Sequence, residues 1–358
     1  MEKIKRIWLI SDLHFGVRSN NLEWLNIQKD YYYNWLIPIL KEKHQEGDIL
    51  FNLGDTFDNR QSINTLVMNT VLDIFSNISK ILPIHIITGN HDIYRKSIND
   101  INSIKIFKYL PNIKIYQEPE FIKTNLGKTI FIMPWRKSLK DEIDSMKKNP
   151  ADILFAHTSF QGAYWNKFIQ SDEGPEVKYF KSYDKVYSGH IHYRQFKNNV
   201  TLVGCPYPLT RSDINNTKGI YLLDFTKSPH KEIFIENQYS PKFLKLKLED
   251  ILEKTLEEYI SIVDNNFIDI LCDIKWSLNF PFSTLLDLSD NYRKINIIVT
   301  SPDDFNLSEE GFTTQLSSFN ITKLTNSYIN KTPYTKKVKT LLKQRIENLH
   351  KRVLGDEE

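Results

Sequence analysis

Apolar positions in the first two thirds of the chain come in short runs, each ended abruptly by a polar cluster. IKRIWLI (4–10) runs into SDLHFG, DILFNL (48–53) into GDTFDNR, PIHIIT (83–88) into GNHD, DILFA (152–156) into HTSF and KVYS (185–188) into GHIH. Short runs rich in Ile, Leu and Phe read as buried strands. Segments 22–46 and 62–80 instead repeat at three and four spacings, as in Leu66, Val67, Thr70, Val71, Ile74, Phe75 and Ile78, and read as helices packed by one face. Strand, helix and strand in this order predict an α/β core. The polar clusters fall at the C-terminal ends of the strands, where the loops of such sheets converge on ligands.

Across 193–237 the pattern shifts to short strands with tight turns (TLVG, KGIYLLDF, KEIFIEN), expected to complete a second sheet. A domain boundary is expected near YSPKF (239–243), giving a first domain over 1–238. Beyond it, FLKLKL alternates with Leu244, Leu246 and Leu248 on one face, ILEKTLEEYISIV has helical spacing and INIIVTS (295–301) reads as a strand. These predict a small α+β unit over 239–325. The remaining 326–358 tail gathers Lys331, Lys336, Lys337, Lys339, Lys343, Arg345, Lys351 and Arg352, with Val338, Leu342, Ile346, Leu349 and Val353 as a helical stripe. A basic helix with an apolar stripe suits docking on a partner.

Composition narrows the class. A chain of 358 residues suits one large domain plus a smaller one, and 41% hydrophobic with 25% charged residues is globular usage. The net charge of +3 is too small to argue a polyanionic partner by itself. No apolar run approaches the ~18 residues of a membrane span, and only a short apolar stretch ending at Ile10 precedes Ser11 and Asp12, so a cytoplasmic protein without membrane attachment is expected. Cys205 and Cys272 stand apart without a CxxC partner, which argues against a disulfide framework or a zinc–thiolate site.

The candidate chemistry lies in the strand-ending loops: Asp12 and His14; Asp55 and Asp58; Asn90, His91 and Asp92; His157; His190 and His192. GNHD alone would pass for an ordinary turn, because Gly and Asn tolerate left-handed backbone and Asp caps helices. Five of the nine histidines, however, directly follow strands. Oxygen and imidazole donors without thiolates suit Mn, Fe or Zn in a hydrolytic site. D-x-H and G-H-x-H each put two donors on one side of an extended segment. A carboxylate shared by two ions would hold them roughly 3.5–4 Å apart, the spacing that clamps attacking and leaving oxygens in phosphoryl transfer. His44, His85, His230 and His350 stand alone and read as structural, and DYYYNWL (30–36) reads as core rather than as a base-stacking surface.

In order, SDLHFG, GDTFD, GNHD, AHTS and SGHIH resemble the signature of the calcineurin-like metallophosphoesterases: DxH, GDxxD, GNHD or GNHE, H and GHxH. The resemblance spans about residues 5–225 and implies a four-layer α/β/β/α sandwich holding two divalent metal ions, Mn2+ in the first place. It implies Asp12, His14, Asp55 and His192 around one ion, and Asp55, Asn90, His157 and His190 around the other. His91 would stand near the leaving oxygen as general acid or charge stabiliser, with Asp92 orienting it and Asp58 facing the site without ligating. No protein nucleophile is needed.

Within that superfamily, SDLHFGVR, GDTFDNR and the stretch NNVTLVGCPYPLTRSDINNTKGIYLLDF (198–225) resemble the SbcD-type double-strand-break nucleases, and the layout is similar to the tailed-phage recombination endonuclease subunit. Cys205 stands where Ser or Thr is usual, and Leu202 where an aromatic is common. This resemblance implies a DNA exonuclease and endonuclease acting at ends in a bacterial or phage-infected cell. It further implies a capping domain over 239–325, a tail docked on an SMC-like ATPase of the SbcC type, and a homodimer. Arg18, Arg60 and Arg95 follow the metal loops and are the candidate DNA contacts. A stand-alone phosphatase or cyclic-nucleotide phosphodiesterase is the alternative. A non-catalytic scaffold is the second, against which the intact ligand set argues.

Overall fold

The structure, a computed structural model, describes residues 4–95, 98–264, 266–273, 295–300, 338–340 and 342–343. The chain divides into a unit of Met1–Thr300 and a second of Ser301–Glu358. Most of the 326–358 tail and about half of the 239–325 segment fall outside the described residues, and so do the amphipathic stripe beyond Leu342 and Lys343 and the lone His350.

The described strands, in chain order, are β1 (Arg6–Ile10), β2 (Asp48–Asn52), β3 (Ile84–Ile87), β4 (Ile93–Arg95), β5 (Ile98–Asn102), β6 (Ile113–Tyr116), β7 (Glu120–Lys123), β8 (Thr129–Met133), β9 (Ile153–His157), β10 (Lys185–Gly189), β11 (Gln195–Lys197), β12 (Val200–Leu202), β13 (Gly219–Asp224), β14 (Lys231–Glu236), β15 (Phe243–Lys247), β16 (Phe267–Asp273) and β17 (Ile295–Thr300). One sheet runs β14-β13-β1-β2-β3-β6 and another β11-β12-β10-β9-β8-β7. The central strands β1, β2 and β3 are parallel, as are β8, β9 and β10. Their metal-loop ends therefore open on one edge.

Strand alternation builds the layers. Ile7 and Leu9 of β1 join Phe51, Phe155, Tyr187 and Leu223 in a core between the sheets. Trp8 and Ile10, on the opposite face, meet the helix Thr65–Ser79 through Val71, Ile74 and Phe75. Beyond the second sheet, Phe131, Leu154 and Val186 pack on Met146 of the helix Leu139–Lys148. Helix, sheet, sheet and helix make the expected four-layer α/β/β/α sandwich. Strands buried on both faces read as continuous apolar runs, which is why β1, β2 and β9 stood out in the sequence.

Two features differ from the sequence reading. The short strands of 193–237 do not share one sheet: β11 and β12 complete the second, whereas β13 lies antiparallel to β1 in the first and carries β14. Local pattern gives the existence of a strand, while its partner is set by long-range packing. The segment 22–46 is not one uniform helix, but runs as Leu22–Tyr31, a π-helical turn Tyr32–Leu36 and Ile37–Lys43. Tyr31 and Tyr32 at this junction are fully buried against Tyr207, so the aromatic run is core.

β15, β16 and β17 form a small parallel sheet. Leu244 and Leu246 pack with Leu248, Tyr259 and Ile270 around it. The sheet meets the sandwich at an aromatic stack in which Trp24 lies 5.1 Å from Phe267 and 6.0 Å from Phe243. Arg18 is part of this contact. Its guanidinium sits 4.4 Å over Trp24 and donates to the Leu209 carbonyl at 3.1 Å.

Candidate metal centre

The loops leaving β1 and β2 run side by side: Asp12 N–H donates to the Gly54 carbonyl, and Leu13 and His14 N–H to that of Asp55. At these strand ends the backbone turns sharply, with φ of 55° at Asp12, 45° at His14, 54° at Asp55 and 85° at His190. Left-handed conformations are uncommon outside glycine, though Asp and His are among the residues that tolerate them. Four donors held there is the backbone strain that collects at functional sites.

Each turn swings its side chain onto one point. Nε2 of His14 lies 2.8 Å from Nε2 of His192, and 3.7 Å from Oδ2 of Asp55. Nε2 of His157 lies 3.2 Å from Asp55 Oδ2 and 3.1 Å from Asn90 Oδ1, and Asn90 Oδ1 is 2.8 Å from Nδ1 of His190. The Asp12 carboxylate accepts the His190 N–H at 3.0 Å. Asp12, His14 and His192 thus form one cluster of potential ligand atoms, and Asp55, His157 and His190 another. All of the resemblance-based ligands meet here, with Asp55 between the clusters.

The imidazoles are set up to give lone pairs to cations. Nδ1 of His157 faces the Leu53 carbonyl at 2.6 Å, which makes Nδ1 the protonated nitrogen and leaves Nε2 as the donor atom. Nδ1 of His14 faces the Asp58 carboxylate at 3.2 Å, with the same consequence. Two lone pairs such as those on Nε2 of His14 and His192, only 2.8 Å apart, are accommodated by a shared cation. The donor set of carboxylate, amide oxygen and imidazole fits two divalent ions.

In the metal-free site the rings differ in charge, His157 and His14 favouring the protonated form that an arriving cation must displace and His190 and His192 the neutral one. Burial would raise the Asp55 carboxyl, but His157 beside it holds it well below the usual range. Burial pushes the Asp12 carboxyl up against the pull of His157. Burial works against a charged His157, yet Asp55 carries it up to about 9. His14 is raised by Asp58 and Asp55 despite its burial. Burial drives His190 down to about 3 and His192 well below its ordinary value, so both stay neutral and able to ligate.

The sequence expectation for Asp92 does not match its contacts. The buried carboxylate accepts N–H groups of Asp55, Thr56, Phe57 and Gly89 at 2.8–3.3 Å, which pins the GDTF turn rather than the His91 ring. Burial and the nearby Asp55 push it up to about 7, against these donors. His91 is instead oriented by Asp58, whose backbone carbonyl faces its Nδ1 at 2.6 Å, while its own N–H donates to Asp55 at 2.8 Å. Asp58 therefore fixes two rings, His14 through its carboxylate and His91 through its carbonyl. Gly89 and Gly189 must lack side chains: a Cβ on the first would overlap Asp55, and on the second Ser11.

Arg60 lines a groove of about 280 Å³ with Ile63, Tyr94, Asn102 and Ser103, and Arg95 extends over the exposed Tyr94 ring. Sequence reasoning missed Trp135 and Trp165, whose rings lie 5.2 and 5.6 Å from that of His190. It also missed Gln28 and Tyr207, which donate to the Leu13 carbonyl at 3.0 and 2.6 Å. Glu142, pushed up to about 7 by burial, was likewise invisible. The aromatic context of Tyr207, Trp135 and Trp165 reads as core, and Glu142 stands in a polar helix where one more carboxylate carries no signal. Among the described residues no helix is long and apolar enough to cross a membrane.

The profile of the family described as calcineurin-like phosphoesterase matches residues 5–194, more than half of the chain. The chain is 27% identical over 273 residues to exonuclease subunit 1 of Enterobacteria phage T4, covering 73% of this chain and 78% of that protein. It is 23% identical over 331 residues to the DNA double-strand break repair protein Mre11 of Nanoarchaeum equitans, covering 82% and 85%. To the Mre11 protein of Methanococcus maripaludis it is 26% identical over 326 residues, covering 84% of each. With the donor loops inside the matched region, the chain belongs to the calcineurin-like phosphoesterase family of metal-dependent enzymes.

Proposed function

We propose that the protein is a DNA nuclease, with exonuclease and endonuclease action at ends, that works as one subunit of an SbcCD-type complex. The observation that carries the reading is the gathering of the expected ligand side chains at one set of strand ends, in a chain similar over some three quarters of its length to an exonuclease subunit and to Mre11 proteins. Asp12, His14, Asp55 and His192 would hold one divalent ion, and Asp55, Asn90, His157 and His190 the other. Mn2+ is favoured because carboxylate, amide and imidazole donors without thiolates suit it. When bound, such ions stabilise charge on a phosphoryl group and acidify a coordinated water.

The chain's own residues do the rest. With Nδ1–H donating to the Asp58 carbonyl, His91 presents Nε2 to the leaving oxygen and would serve as its proton donor in the doubly protonated imidazolium form, since the neutral ring carries its only proton on Nδ1. Asp58 keeps that ring and His14 in register, and Asp92 fixes the turn that carries Asp55. DNA would be held through its backbone by Arg60 and Arg95, with Arg18 contributing from the contact with the small sheet, and binding of that kind weakens steeply with salt. The 239–325 segment would cap the DNA path, the 326–358 tail would dock on an SMC-like ATPase partner, and the chain would pair as a homodimer in the cytoplasm.

The test is Mn-dependent degradation of an end-labelled linear duplex, beside bis-p-nitrophenyl phosphate and an Asn90→Ala, His91→Ala double variant. The wild type is expected to shorten the duplex and the variant to leave it intact. Hydrolysis of the small ester alone, even with an ATPase partner present, would turn the reading to a small-molecule phosphodiesterase.

A further inference from the structure

Lys218 is a lysine whose side chain is only 2% exposed, and the ligand set gives it no task. Its Nζ pairs with Asp213 Oδ1 at 2.5 Å and donates to the backbone carbonyl of His192 at 2.7 Å. Asp213 is equally buried, and its other oxygen accepts the N–H groups of Leu209 and Thr210 at 2.9 Å each. The His192 carbonyl also receives the Cys205 N–H at 3.3 Å, in a spot so close that a Cβ on Gly204 would approach it to 2.7 Å.

Stability is a poor reason for this pair. Taking an ammonium and a carboxylate out of water is costly, and well-packed apolar replacements often serve stability as well or better. What such a pair supplies is a fixed donor at a fixed point. His192 lies beyond the end of β10, where no strand ladder holds its backbone, yet its ring must meet His14 within 2.8 Å.

We propose that Lys218 and Asp213 are positioning residues for His192: the ammonium grips the His192 carbonyl and so sets the imidazole that completes the Asp12–His14 half of the centre. The inference rests on the ligand set assigned above. The turn that carries Asp213 begins at Arg211, whose Nε pairs with Asp269 of β16 at 2.9 and 3.0 Å. One turn therefore anchors the small sheet on one side and a metal ligand on the other.

The experiment is Mn2+ titration of the full chain by calorimetry, with Lys218→Met/Asp213→Asn as the variant, since Asn keeps an oxygen for the Leu209 and Thr210 N–H groups. Two binding steps are expected for the wild type. In the folded variant one step should weaken by about 10–100-fold, the usual effect of removing a group that orients a ligand, while the other is unchanged. Asp213→Asn alone, nearly isosteric, should weaken the same step less and keeps the test valid if the double variant does not fold. Unchanged steps in either folded variant, or equal weakening of both, overturn the proposal. A wild type that takes up fewer than two ions overturns the ligand set, and the inference with it.

Discussion

The two halves of the centre use the same donor types but are held in different ways. Around Asp55, His157 and His190, support comes from the strands and loops that carry the ligands: Leu53 takes the His157 ring, Asn90 faces both imidazoles and Asp92 ties down the turn after the neighbouring strand β2. Around Asp12, His14 and His192, much of the support is imported. Gln28 and Tyr207 hold the Leu13 carbonyl and Lys218 that of His192, all outside the signature motifs. One half follows from the register of parallel strands, and the other depends on the helix Leu22–Tyr31 and the connection between β12 and β13.

The largest break in this contrast should come at Gly89. A Cβ there overlaps Asp55, the ligand proposed to serve both halves, so Gly89→Ala is expected to abolish uptake of both ions and reduce hydrolysis to background. Metal content after gel filtration, read beside circular dichroism, checks this. Retention of one tightly bound ion would mean that Asp55 is not shared.

A smaller, pH-dependent effect should single out His157. Its folded value, about 9, lies above the ordinary 6.5, so in the metal-free chain its contribution to stability is complete below pH 6.5 and is lost as pH rises through 9. Asp92 and Glu142, both raised to about 7, act in the same direction. His190 and His192, already neutral, add nothing above pH 7. The melting temperature of the metal-free protein should therefore fall between pH 7 and 9. Divalent ions, which need the neutral ring, should bind more tightly over the same interval. A melting temperature that rises across it would contradict the assigned His157–Asp55 pairing.

The finest distinction is expected at Tyr207. Tyr207→Phe removes the 2.6 Å bond to the Leu13 carbonyl and should cost about 1 kcal/mol of stability, typical for a hydrogen bond. In a stepwise Mn2+ titration only the Asp12–His14–His192 step should weaken, by several-fold. Equal weakening of both steps would erase the difference between the halves.

Much of the sandwich was legible because its central strands are short and apolar on both faces. β7 was not, since Glu120 and Lys123 leave only Phe121 and Ile122 between them at the edge of the sheet, whereas the apolar run of β8, Ile130–Met133, was passed over because no ligand motif follows it. The donors were legible because polar residues placed directly after buried strands need a reason. Asp58 was read as facing the site, but that its carboxylate and carbonyl orient different histidines could not be read from GDTFD. The role of Asp92 was misread for a related reason: its neighbour in sequence is His91, but its neighbours in space are the N–H groups of Asp55 and Thr56.

By itself, then, the sequence determined which side chains could ligate metal, and that they stand at strand ends, since alternation and turn preference are properties of adjacent residues. The tertiary structure alone decided the partition of β11–β14 between two sheets, the orientation of each imidazole, and the recruitment of Tyr207 and Lys218 to the backbone of ligand loops. Those depend on which carbonyl meets which donor across separations as long as the 194 residues between Leu13 and Tyr207, and no local pattern encodes that meeting.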